Sequence, residues 1–140
     1  MKILVAADGS IYTRHAVKFL VRNRGMFGAK PEICLLHVRP PLPGRATAVL
    51  AKSTVNRYYS DETRKALATA KRTLERERIG YREAHLIGDP GTAIAAYAKK
   101  GRFSVVIMGS HGQGALRNLV LGSVASKVLA NCRVPVLIVR

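Results

Sequence analysis

The sequence predicts an α/β protein: a five-stranded parallel doubly wound sheet of order 3-2-1-4-5, with helices on both faces. Three observations predict it. Short aliphatic runs alternate with longer segments of helical spacing, in the order strand then helix four times followed by a last strand. The runs are apolar throughout rather than alternating, as strands covered on both faces must be. Right-handed crossovers then leave few ways to order the strands. The 140 residues suit one domain, and a 48% hydrophobic content with only 6% aromatic residues points to an aliphatic core.

The first strand, Lys2 to Ala7, stops at Asp8, Gly9 and Ser10. Ser10 is placed to cap a helix on which Tyr12, Ala16, Phe19, Leu20 and Asn23 recur at helical spacing, with Gly25 and Gly28 closing it. The second strand, Ile33 to Val38, cannot continue into Pro40, Pro41, Pro43 and Gly44. From Arg39 to about Tyr59 the mixed pattern reads as a long connection of the kind that forms binding loops or lids, with Arg45 and Lys52 as surface cations or anion contacts. A second helix follows between Asp61 and Ile79, its stripe Thr63, Leu67, Ala70 and Leu74, and Gly80 ends it. The third strand is a short run at Ala84 to Ile87. Asp89 and Pro90 then suit the cap and first turn of a helix carrying Ile94, Tyr97 and Ala98 and ending at Gly101. The fourth strand spans Ser104 to Met108. A helix from about Ser123 turns Val124, Val128 and Leu129 inward, and Pro135 to Val139 is the last strand.

In a sheet of this order strands 1 and 4 are neighbours and the order reverses between them, so ligands are expected at their C-terminal ends. Two turns meet there: Asp8 with Gly9, and the stretch Gly109, Ser110, His111, Gly112, Gln113, Gly114, followed later by Gly122 and Ser123. Glycines leave backbone N–H groups uncovered, and a helix starting near Ser123 adds its positive end, so a phosphate suits the place; a plain tight turn is the competing reading. Asp8 fits two roles, a cap for the first helix or a carboxylate for a ribose hydroxyl or a Mg²⁺ water.

Net charge is +16, from 24 Lys and Arg against 8 Asp and Glu, which raises nucleic acid or another anionic partner as an alternative function. The basic residues are spread over helix faces without interleaved aromatics, so a solvated surface is the simpler account. Cys34 and Cys132 sit apart in apolar or helical surroundings, as reduced thiols do, and His15 and His85 show no metal spacing. No run reaches the roughly 20 residues of a membrane span, and the opening run is too short for a signal peptide; a cytoplasmic protein is expected. The last strand lies at an edge and carries no charge within Val136 to Val139, so pairing of the segment Val134 to Val139 with a second copy about a two-fold axis predicts a homodimer.

Gly109, two residues, Gly112, nine residues, then Gly122-Ser123 resembles the phosphate-binding pattern of the ATP-binding branch of the universal stress protein family. The start to Asp8, the Leu36-His37-Val38 segment, Gly88-Asp89-Pro90 and the Val134 to Val139 finish are similar to that family as well. The resemblance implies ATP with Mg²⁺ carried by the nucleotide, adenine read partly by the backbone of Val38, and Ala7 and Asp8 lining the base and ribose side. It assigns ribose and phosphates to Gly109, Gly112, Gly122 and Ser123, with Met108, Ser110, His111, Gln113, Gly114 and Val124 as neighbours. A nucleotide-responsive regulatory or stress-response protein is the function implied, rather than an enzyme. The Gly-Lys dipeptide of a P-loop is absent, Ile87 and Gly88 stand where a receiver domain needs an acidic phosphoacceptor, and only Asp8 among the carboxylates reaches the crevice. Slow ATP hydrolysis or self-phosphorylation remains compatible with the sequence.

Overall fold

The computed structural model describes residues 1–114 and 120–140. Residues 115–119, part of the stretch between Gly114 and Gly122, lie outside the described residues. Strands β1 (Lys2–Ala6), β2 (Glu32–Arg39), β3 (Tyr81–Ile87), β4 (Val105–Gly109) and β5 (Val136–Val139) form one sheet of order β3-β2-β1-β4-β5, as the sequence predicts. Every pairing is parallel, with Ile3 opposite Ile33 on one side and Val105 on the other.

The apolar runs fill two cores, because alternate residues of a strand point to opposite faces. Ile3, Val5, Ile33, Leu35 and Ile107 pack under α1 (Ile11–Arg22) and α3 (Lys52–Arg76), whose Ala16, Val17, Leu20, Leu67, Ala70 and Leu74 face them. Leu4, Cys34, Leu36, Val38 and Val106 pack under α4 (Pro90–Lys100) and α5 (Ser123–Asn131), through Ile94, Ala98, Ala125 and Val128. Cys34 and Cys132 are free thiols.

Several boundaries differ from the sequence reading. The expected connection from Arg39 to Tyr59 is largely helical: α2 (Gly44–Val49) is a short turn with no buried residue, and α3 begins at Lys52, nine residues before Asp61. No glycine or proline interrupts 45–79, and Tyr59 carries the buried stripe upstream, so a helix continues through a polar sequence. Strand β3 starts at Tyr81 rather than Ala84; as an edge strand it is covered less and admits Arg82, Glu83 and His85 at exposed positions. On α5 the inward pair is Ala125 and Val128, while Leu129 is 45% exposed. On α1 Thr13 and Val17 join Ala16 and Leu20 inside, and Tyr12, Phe19 and Asn23 are only half-buried.

Helix α4 ends at its cap Gly101 as expected, but neither Gly101 nor Gly80 takes the left-handed position of the closure. Helix α3 closes through Arg78 N–H to Glu75 O (3.0 Å) and Ile79 N–H to Leu74 O (2.9 Å), and α4 through Arg102 N–H to Lys99 O and Phe103 N–H to Ala98 O, both 3.1 Å. These are paired 5→2 and 6→1 closures, with the left-handed residue an arginine in each: Arg78 at φ 54° and Arg102 at φ 52°. Gly80 has open space around it, whereas a Cβ on Gly101 would meet the Phe103 ring at 2.4 Å, so Gly101 makes room rather than reversing the chain.

Candidate functional site

A crevice of about 460 Å³ opens at the C-terminal ends of the strands. Its wall draws Ala7 and Asp8 from the end of β1, Val38, Arg39 and Pro40 from the end of β2, and Met108 and Gly109 from β4. His111, Gly112, Gln113 and Gly114 come from the following loop, and Gly122, Ser123 and Val124 from the start of α5. The sequence-predicted site residues therefore converge on one cavity, with the exception of Ser110, which is fully buried. Thr13, His37, Pro90, Ile94 and Ala125 also line it and were not singled out. His37 and Ala125 adjoin the predicted Val38 and Val124 and Thr13 lies five residues after Asp8, whereas Pro90 and Ile94 come from a separate segment, the start of α4.

The turn after β1 is tied by its own side chains. Asp8 Oδ1 accepts from Ser10 N–H (2.9 Å) and from the Thr13 hydroxyl (2.8 Å), and Asp8 N–H donates to Thr13 Oγ1 at 3.1 Å. Ser10 caps α1 by accepting from Thr13 N–H at 3.2 Å, so the cap does not fall to Asp8. Asp8 Oδ2 lies on the other side, where a Cβ on Gly112 would come within 2.8 Å of it. One carboxylate oxygen holds the turn and the other faces the glycine loop. Beside it His37 is 5% exposed, and its Nδ1–H donates to Ala7 O at 2.8 Å. That bond and Ala7 N–H to Leu36 O (2.9 Å) fix the end of β1 against β2. His37 is thus buried at the strand end, with its Nε2 lacking a hydrogen-bond partner among the described residues.

The glycines have different jobs. Gly109, Gly112, Gly114 and Gly122 are not among the glycines with positive φ, so space rather than dihedral freedom explains them. At Gly109 a Cβ would fall 2.4 Å from Tyr12 Cβ and 2.8 Å from Tyr12 C, so the strand end and α1 touch through this residue. At Gly122 a Cβ would stand 3.1 Å from His111 Cα, and Gly122 N–H donates to Ser110 O at 2.8 Å, closing the loop on itself. Gly112 opens the space in front of Asp8, and a Cβ on Gly114 would meet nothing within 4 Å among the described residues. Ser110 N–H donates to Val139 O at 2.8 Å, its hydroxyl is 2.9 Å from His111 Nδ1, and Gln113 Nε2–H donates to Asp8 O at 2.5 Å.

Three helices begin beside the crevice, and they begin differently. Helix α1 is capped by Ser10 and α4 by Asp89, whose Oδ2 accepts from Thr92 N–H at 2.9 Å. Asp89 is also 2.9 Å from Lys127 Nζ; that contact, followed by the Thr92 bonds, lowers its pKa to about 2. Helix α5 has Gly122 at its cap position and no side-chain cap. Its first intrahelical bond is Ser126 N–H to Gly122 O (3.0 Å), so the amides of Ser123, Val124 and Ala125 precede the ladder, and all three residues line the crevice. An uncapped helix start with free amides is suited to an anion.

The sheet order, the crevice at its reversal and the glycine loop running into an uncapped helix define a doubly wound α/β protein with a ligand end built from strand C-termini. Comparison with known proteins places it more closely. The sequence profile of the Universal stress protein family matches residues 1–140. Universal stress protein MJ0531 of Methanocaldococcus jannaschii is 29% identical over 142 residues, covering 99% of this chain and 81% of the relative. Universal stress protein YxiE of Bacillus subtilis is 32% identical over 152 residues, covering 99% and 98%. The chain belongs to the universal stress protein family. Among solved structures, that of MJ0577 superposes with a TM-score of 0.79 at 27% identity, covering 99% of this chain and 94% of the other. Two further structures share the fold at lower identity. One is a universal stress protein in complex with cAMP (TM-score 0.66, 22% identity, covering 100% and 97%). The other is an Arabidopsis thaliana family member with AMP bound (TM-score 0.69, 17% identity, covering 99% and 90%).

Proposed function

We propose that the whole chain acts as one domain that holds ATP, with its Mg²⁺, in this crevice and works as a nucleotide-responsive stress-response homodimer in the cytoplasm. The observation that carries the reading is the uncapped start of α5, whose three leading amides open onto the cavity beside Gly112 and Asp8 Oδ2. The phosphates lie over Ser123 and Val124, where amides and the Ser123 hydroxyl replace the missing cap. Asp8 Oδ2 takes a ribose hydroxyl or a water on Mg²⁺, since Oδ1 is already committed to the turn. Adenine sits against Val38, Ala7 and Met108, where apolar walls and the end of β2 give a flat, largely dry slot. The cAMP- and AMP-bound proteins of the same fold support an adenine nucleotide as the class of ligand.

The site reads as one for holding rather than for turnover. Among the described lining residues Asp8 is the only carboxylate, its Oδ1 is committed to the turn, and its Oδ2 is taken here by a ribose hydroxyl or a Mg²⁺ water rather than by a proton transfer. Dimerisation is assigned to the outer edge of β5, where Val136 to Val139 all remain partly exposed.

The test is the nucleotide content of the purified protein, released by denaturation and identified, together with calorimetry against Mg-ATP. Co-purified adenine nucleotide, or saturable Mg-ATP binding lost in Gly122→Val, is expected. A folded parent chain that binds no Mg-ATP overturns the reading.

A further inference from the structure

The end of the molecule opposite the crevice has a separate character. Four loops meet there, each joining a helix C-terminus to the next strand: 23–31, 77–80, 101–104 and 132–135. Together they carry Arg24, Lys30, Arg78, Arg102 and Arg133 against Glu77. All five cations are exposed and none enters an ion pair among the described residues, whereas Glu77 is already paired with Arg76 at 3.3 Å. The connections at the crevice end are mixed by contrast, with Asp8 and Asp89 set against Arg45 after β2 and Arg140 after β5. In sheet order the cations precede β3 (Arg78), β2 (Arg24, Lys30), β4 (Arg102) and β5 (Arg133), so they extend across the sheet, about 19 Å at about 4.8 Å per strand. Arg24, Lys30 and Arg78 further converge on one groove of about 540 Å³ floored by Leu20, Ile33 and Ile79.

Cations near helix C-termini complement the helix dipole, and that accounts for those in the last turns, such as Arg22, Arg76, Lys99 and Lys100. It does not account for Arg78 and Arg102. Both hold the left-handed position of a helix closure, which glycine adopts freely and an L-residue adopts at a cost. A position where glycine would stabilise the fold is filled twice by arginine, on two helices, at the same end of the molecule.

We infer that this basic end is a docking surface for the phosphate backbone of duplex nucleic acid, read without regard to base sequence. The arginine fork matches phosphate oxygens, and a row of unpaired cations follows a polyanion better than it follows a point anion. The loops offer no stacking platform for unpaired bases, because their two aromatics, Phe27 and Phe103, are buried. They also lack the continuous apolar face that a membrane surface requires: the large apolar side chains exposed toward this end are Met26 (64%), Met1 (53%) and Leu129 (45%) in the last turn of α5. The surface is independent of the nucleotide crevice, so either assignment can fail alone.

The experiment is fluorescence anisotropy of the full chain, with saturating Mg-ATP present, on a labelled DNA duplex of about 20 base pairs between about 50 and 200 mM salt. Binding that weakens steeply with salt is expected. The double variant Arg78→Gly, Arg102→Gly should reduce the slope of log K against log salt by about 2, at about 0.9 per phosphate contact, while melting higher than the parent. Lys30→Gln with Arg133→Gln, which leaves the left-handed positions alone, should reduce the slope similarly. The inference is overturned if the parent shows no salt-dependent duplex binding, if the variants bind like the parent, if Mg-ATP displaces the duplex, or if only anionic vesicles or single strands are bound.

Discussion

Replacing Gly109 by alanine sets a methyl carbon 2.4 Å from Tyr12 Cβ and 2.8 Å from Tyr12 C, against an ordinary contact of at least 3.4 Å, an intrusion of 1.0 Å. Tyr12 C is helix backbone and cannot rotate away, so α1 must shift as a body, and Ala16, Val17 and Leu20 move with it. Overpacking of this kind costs about 1 to 3 kcal/mol, and the rigid neighbour argues for the upper end. At about 3 °C per kcal/mol for a chain of this length, Gly109→Ala should melt roughly 10 °C below the parent. Gly112→Ala, three residues on in the same motif, meets only Asp8 Oδ2, at 2.8 Å, the free end of a side chain. That carboxylate can swing aside, so stability should stay within about 0.5 kcal/mol of the parent. Mg-ATP affinity should instead fall by about tenfold or more, equivalent to about 1.4 kcal/mol, because the displaced oxygen is the one facing the crevice. Thermal unfolding followed by circular dichroism and titration calorimetry separate the two effects. If Gly109→Ala melts with the parent, or if Gly112→Ala loses as much stability as Gly109→Ala, the division of labour between these glycines is wrong.

Two further outcomes follow from the same structure. Asp89 titrates near 2, below its ordinary 3.8, so the cap it gives α4 is intact above about pH 4 and is lost as pH falls through 2. Lys127→Ala removes the largest cause of the shift; NMR titration of the Asp89 carboxyl should then show its midpoint moving up, and the acid loss of helicity should begin at higher pH. For the dimer, Pro135 O and Val139 O accept from Val106 and Ser110, so the period of two turns the amides of Val136 and Ile138 away from β4. Ile138→Pro should therefore leave β4 pairing in place and convert a sedimenting dimer to a monomer. A parent chain that sediments as a monomer at all concentrations would sink the assignment of β5 as the interface.

The sheet, its order and the position of the crevice were legible in the sequence because buried parallel strands must be apolar throughout, and few crossovers are allowed between them. The elements read poorly were those whose apolar content is diluted. Helix α3 hides its first two turns in polar residues and is revealed only by Tyr59 packing inward, while β3 carries the exposed Arg82 and Glu83 near its start because it lies at an edge. Arg78 and Arg102 were illegible for another reason. Nothing in a one-dimensional pattern marks an arginine with positive φ when a glycine stands one or two residues away and invites the choice.

By itself the sequence determined which segments converge: local glycine spacing, strand punctuation and alternation place Asp8, Gly112 and Ser123 at one end of the sheet. Only the tertiary structure decided what each residue does there. Gly109 answers to a helix about a hundred residues away in the chain, Asp8 divides its two oxygens between turn and cavity, and α5 alone among the three neighbouring helices starts without a side-chain cap. Spacing along a chain reports periodicity and conformational preference. Close approach between distant segments depends on how helices settle on the sheet, and that is fixed by packing in three dimensions.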